Sequence, residues 1–139
     1  MEKEEMKEKI FFRIKTCKGT SFVELQNMIG KESVGTFCID VNKFKNVILW
    51  DGMSEMFCQC IIELIGEKKI QAVPIHELVY VMDGSFLKVP IAKRGRNYKT
   101  LHWTPVVFNS LIPATFEEIK KATDEMPMTV EEIEKSGKV

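Results

Sequence analysis

Between Gly84 and Phe116 the chain carries no aspartate or glutamate, yet Lys88, Lys93, Arg94, Arg96 and Lys99 all fall in that stretch, with Tyr98, His102 and Trp103 interleaved. Fixed cations beside flat rings suit nucleic acid. The cations displace the counterions of a phosphate backbone, and a ring offers its face to a base. The expected contacts are phosphate on Lys88, Lys93, Arg94, Arg96 and Lys99, with Tyr98 or Trp103 stacking. The plainer reading is a solvated loop whose charges protect an edge strand. Trp50 and Trp103 equally suit core anchors with a bonded indole nitrogen.

Other chemistry finds little support. No G-x-x-x-x-G-K phosphate loop or G-x-S-x-G elbow occurs, so the two commonest local signatures of phosphoryl and acyl transfer are missing. His76-Glu77 would be an acid/base dyad only if both side chains faced one way, and neighbours on a strand do not. The four cysteines, Cys17, Cys38, Cys58 and Cys60, are interspersed with apolar residues and read as small buried hydrophobes. Cys58 and Cys60, two apart on an expected helix, point to different faces, which is a poor metal pair. The expectation is a protein that is not an enzyme, with no metal and no cofactor.

The elements that must position the basic stretch follow from periodicity. Met6, Ile10, Ile14 and Cys17 form one stripe of a helix over 2–16. Ser21-Phe22-Val23-Glu24 is a capping box opening a short second helix that Gly30 ends. Residues 35–41 and 46–50 are β-prone and suggest a hairpin. Met53, Met56, Phe57, Cys60, Ile61, Leu64 and Ile65 give an unbroken helical pattern over 54–67. This third helix would expose Ser54, Glu55, Cys58, Gln59, Ile62, Glu63 and Glu67, a face too acidic to read a major groove. Leu78-Val79-Tyr80-Val81 reads as a strand, Asp83-Gly84 as a hairpin turn, and residues 86–91 as the returning edge strand, with Pro90 at its end. Residues 100–108 suggest a third strand interrupted at Pro105. After Ile112-Pro113, Thr115-Phe116-Glu117-Glu118 and Thr129-Val130-Glu131-Glu132 each open a helix in an acidic tail.

Three helices followed by a β-hairpin make the expected fold α+β and winged-helix-like, with an antiparallel hairpin wing and an inserted β region. The winged-helix-like domain would span 1–112 and the acidic helical tail 113–139. A generic helix-on-sheet arrangement is the alternative. The two differ in whether residues 36–50 join the sheet of residues 78–108.

Several strings carry a resemblance: Ser21-Phe22-Val23-Glu24-Leu25, Val47-Ile48-Leu49-Trp50-Asp51-Gly52, Val79-Tyr80-Val81-Met82-Asp83-Gly84, Leu87-Lys88-Val89-Pro90-Ile91-Ala92-Lys93 and Tyr98-Lys99-Thr100-Leu101-His102-Trp103-Thr104-Pro105. Over residues 6–110 the chain resembles small proteins of Gram-positive phages, pathogenicity islands and related mobile elements. The resemblance implies a bacterial cytoplasmic setting and brings no activity or catalytic residue with it.

Composition narrows the partners. The chain has 139 residues, 45% of them hydrophobic and 29% charged, with 20 basic and 20 acidic residues and no net charge. Such a chain buries a core without metals or disulfides, and any attraction for nucleic acid must come from a local patch. The charged start does not read as a signal peptide, and no apolar run reaches the length of a membrane span. Two functions remain open: a non-enzymatic, nucleic-acid-associated module of a mobile element, or a protein-interaction module or homodimer without nucleic acid.

Overall fold

The computed structural model describes residues 1–41, 43–92 and 96–124. In chain order its elements are α1 (Lys3–Thr16), β1 (Thr20–Ser21), α2 (Phe22–Ile29), β2 (Val34–Asp40), β3 (Val47–Met53), α3 (Glu55–Gly66), β4 (Ile70–Pro74), α4 (Leu78–Asp83), β5 (His102–Trp103), β6 (Val106–Ser110) and α5 (Phe116–Asp124). The fold is α+β, with five α-helices and two three-stranded sheets among the described residues.

Helices α1, α2 and α3 form where the apolar spacing placed them. Met6, Ile10 and Ile14 are all buried on α1. On α3, Ser54 caps the N-terminus by accepting from the Phe57 amide at 3.2 Å, and Phe57, Cys58, Cys60, Ile61 and Leu64 are buried. Lys3 Nζ donates to Glu63 at 2.6 Å, and Lys7 Nζ donates to Glu63 at 3.1 Å and Glu67 at 2.7 Å, so α1 and α3 are clasped above their apolar contact. Ser21 caps α2, its Oγ accepting from the Glu24 amide at 3.1 Å.

The first sheet has the order β1-β6-β4 and is antiparallel throughout. The second has the order β2-β3-β5; β2 and β3 form the expected hairpin, and β5 joins β3 in parallel. Register shifts interrupt the hairpin. At one of these, a Cβ on Gly35 would lie 2.7 Å from the Met53 carbonyl oxygen, so only glycine permits the approach. The interrupted third strand also forms, but its halves serve different sheets: β5 belongs to the second and β6 to the first. Pro105 is the corner. Its carbonyl accepts from the Ile75 amide at 2.9 Å, next to the Thr104 amide bound to Ile48 at 2.9 Å.

The expected wing is not formed. Leu78-Val79-Tyr80-Val81 is helix, not strand, and Gly84 is the left-handed C-cap of α4 with φ 102°, not half of a hairpin turn. Residues 86–91 make no returning strand; Ile91 forms only an isolated parallel bridge to Trp103. The reason lies in Tyr80, which is wholly buried. Its hydroxyl donates to the Val106 carbonyl and accepts from the Phe22 amide at 3.3 Å. Its ring centroid lies 5.0 Å from Trp50 and 5.1 Å from Trp103. A short apolar run fits either period, and this anchor, fixed on three sides, decides for the helix.

Helix α5 begins on the expected capping box. Thr115 Oγ1 accepts from the Glu118 amide at 3.1 Å, and Glu118 Oε1 accepts from the Thr115 amide at 2.9 Å. It buries no side chain and meets α1 through the Lys15–Glu118 ion pair and Lys121, which sits 5.3 Å from the Phe12 ring centroid. The second expected capping box, at Thr129, lies outside the described residues.

Removing the Tyr80 hydroxyl leaves two buried backbone groups short of a partner. Tyr80→Phe is therefore expected to cost about 1–3 kcal/mol. In urea unfolding the midpoint falls while the m-value stays the same. An unchanged midpoint contradicts the anchoring role.

Candidate nucleic-acid interface

The basic stretch does not sit on a wing. From Arg96 onward it runs beside the turn between β2 and β3, and a ladder of hydrogen bonds fastens the two. The Lys45 amide donates to Asn97 Oδ1 at 2.7 Å, and the Tyr98 amide donates to the Lys45 carbonyl at 3.1 Å. Asn46 Nδ2 donates to the Tyr98 carbonyl at 2.8 Å, and the His102 amide donates to the Asn46 carbonyl at 2.8 Å. Asn46 itself has φ 60°. Asparagine enters that left-handed region more readily than most residues, which lets it serve both segments at once. The Tyr98 and His102 rings stack on this ladder, with centroids 3.7 Å apart and planes 18° from parallel.

The ladder brings together cations that are far apart in sequence. Arg96 and Lys99 from one segment and Lys43 and Lys45 from the other are all exposed. Among the described residues none of the four makes an ion pair with a carboxylate. Asp40, exposed at the end of β2, is the acid closest to the turn in sequence. Lys43 and Lys45 were not singled out in the sequence. They lie before the acid-free window, some fifty positions from Arg96 and Lys99, and only the tertiary ladder adds them to it.

The residues expected to bind nucleic acid have separate fates. Arg96, Tyr98 and Lys99 belong to the corner just described. Lys93 and Arg94 lie outside the described residues. Lys88 is exposed on another surface, the wall of an apolar cleft beside α4. Trp103 is corrected: it is 1% exposed, packed against Trp50 and Tyr80, with Nε1 donating to the Leu49 carbonyl at 3.0 Å. No base can reach its faces. Its other expected role, a core anchor with a bonded indole, is the one it fills, and Trp50 does the same with Nε1 on Gln26 Oε1 at 2.8 Å.

Helix α3 also departs from expectation. Cys58 is 6% exposed, not on the open face. Glu63 and Glu67 turn toward α1, where hydrogen bonds from Lys3 and Lys7 to Glu63, and from Lys7 to Glu67, hold both carboxyls below the usual carboxylate range. The exposed residues of α3 are Glu55, Gln59, Ile62, Ile65 and Gly66, so Ile65 leaves the apolar stripe in which its spacing placed it. His76 and Glu77 are not on a strand, and the His76 imidazole lies 3.6 Å from the Glu77 carboxylate in an exposed pair. Burial pushes the Cys58 and Cys60 thiols up to about 11, which keeps both protonated near neutral pH and disfavours them as nucleophiles. Among the described residues no group of three potential metal-binding side chains comes together, and no helix is long and apolar enough to cross a membrane.

Comparison of the chain with protein-family models, with curated proteins and with solved structures returns no match.

The ladder makes a prediction. Asn46→Ala removes the bond to the Tyr98 carbonyl and places alanine at a left-handed φ, at an expected cost of about 1–2 kcal/mol. Hydrogen exchange at the Tyr98 and His102 amides should speed up more than exchange at the core amides of β6. Equal changes at both places would show that the corner is not a local unit.

Proposed function

We propose that the chain is a nucleic-acid-binding module that acts through the corner made by Lys43, Lys45, Arg96 and Lys99. The supporting observation is that, among the described residues, none of these four cations on the hydrogen-bonded platform pairs with a carboxylate, while Lys3, Lys7 and Lys15 on α1 do. Cations without intramolecular partners keep their full attraction for an external polyanion. A backbone ladder that fixes their carriers lowers the entropy lost when a phosphate chain is held. Contacts of this kind go to phosphate and sugar and carry no sequence information, so binding is expected to be general across sequences. Base reading by α3 forms no part of the proposal.

Fluorescence anisotropy with labelled single-stranded and duplex oligonucleotides tests it. Four phosphate contacts imply a slope of about −2.8 on single strands and about −3.6 on duplex in a plot of log association constant against log salt. Lys45→Glu combined with Arg96→Glu should weaken binding at least about tenfold at moderate salt, with far-ultraviolet circular dichroism unchanged. Binding that ignores both salt and charge reversal, or no binding at low salt, rejects the proposal.

A further inference from the structure

Helix α4 leaves most of its apolar surface in water. Leu78, Val79, Tyr80, Val81 and Met82 are consecutive, and on a six-residue helix they point in every direction. Tyr80 takes the buried direction. Leu78, Val81 and Met82 remain 57%, 47% and 84% exposed. The segment that follows adds Phe86 at 48% and Ile91 at 40%. Between helix and segment runs a cleft of about 380 Å³ lined by Val81, Phe86, Leu87, Val89 and Ile91. An apolar ridge beside an apolar cleft on one face is more than the scattered exposed side chains that any soluble protein shows.

We propose that this face is a contact between two copies of the chain. A two-fold contact needs a surface that complements itself, and ridge beside cleft is such a surface: the Met82 ridge of each copy can enter the cleft of the other. The charges point the same way. Glu77 precedes α4 and Lys88 follows Leu87; both line the cleft, yet they make no ion pair with each other. Among the described residues Lys88 has no carboxylate partner at all. Laying α4 of one copy along the cleft of the second brings Glu77 of each toward Lys88 of the other. The apolar side chains supply the affinity and the paired charges supply the register. With only a few large side chains on each side, the contact belongs among the smaller, concentration-dependent interfaces. It uses none of the four corner cations, so it stands or falls apart from nucleic-acid binding.

Sedimentation velocity of the full chain across the micromolar range is the test, with circular dichroism confirming that each variant is folded. The wild-type chain should pass from monomer to dimer with rising concentration. Met82→Glu should weaken dimerisation about thirtyfold or more, since it puts a charge at the centre of the contact. Glu77→Lys and Lys88→Glu should each weaken it about tenfold, because each alone sets like charges across the two-fold. An equimolar mixture of these two variants should dimerise about as well as wild type, since only in the mixed pair do both cross-contacts join opposite charges. Rescue by mixing distinguishes a contact between copies from one within a copy. A strict monomer at the highest concentration, a dimer indifferent to Met82→Glu, or a mixture no tighter than its components would each overturn the proposal.

Discussion

The Tyr80 hydroxyl is the point at which the two sheets are tied. Its ring lies against Trp50 and Trp103 of the β2-β3-β5 sheet, while its oxygen bonds Val106 of the other sheet and the Phe22 amide at the head of α2. A hydroxyl this deeply buried is tolerated only when it is bonded. Burial also pushes its pKa above the ordinary phenol value, so it remains a neutral donor at physiological pH. Much follows from this one group. It holds α4 helical against a β-prone sequence and steadies the Pro105 corner where the chain changes sheets. Through Trp103 it fixes the strand from which the basic loop hangs.

The second organising fact is the sorting of charge. The chain is neutral overall, yet its ion pairs are not spread evenly. Lys3, Lys7, Glu63 and Glu67 are spent on holding α1 to α3, and Lys15 and Glu118 on seating α5. Exposed pairs of this kind add little to stability. Their larger consequence is for the field around the molecule: they cancel charge on α1, α3 and α5, whereas among the described residues Lys43, Lys45, Arg96 and Lys99 have no carboxylate partner. Zero net charge therefore says little about local attraction for a polyanion, because a few ångströms of sorting decide what an approaching phosphate meets.

The two proposed surfaces arise from opposite deficits. At the corner, backbone polar groups are well bonded, and among the described residues the charges lack carboxylate partners. At α4, the backbone is capped and the apolar side chains lack cover. Both lie on or beside the described part of the chain between α4 and β5, where loops carry side chains that the packed core has no use for.

Much of the fold was legible along the chain. The stripe Met6, Ile10, Ile14, the run from Phe57 to Leu64, the Ser21 cap of α2 and the Thr115–Glu118 box each formed where spacing placed them, because helix periodicity and capping depend on residues three or four apart. The β2–β3 hairpin followed from the same kind of local pattern. The acid-free window was visible too, and with it Arg96, Tyr98 and Lys99. What the chain could not reveal was anything set by distant partners. Leu78–Met82 is apolar at either period, so only the seat for Tyr80 between two sheets chose helix. Trp103 read as a core anchor and also as a candidate for stacking until its neighbours were known. Lys45 and Asn46 are bonded to residues about fifty positions away, and that carries the neighbouring Lys43 into the basic corner as well. Local spacing settles which face of a segment is apolar; which segments meet, and so which charges and rings stay open to a partner, is a matter of long-range packing that no short stretch of residues encodes.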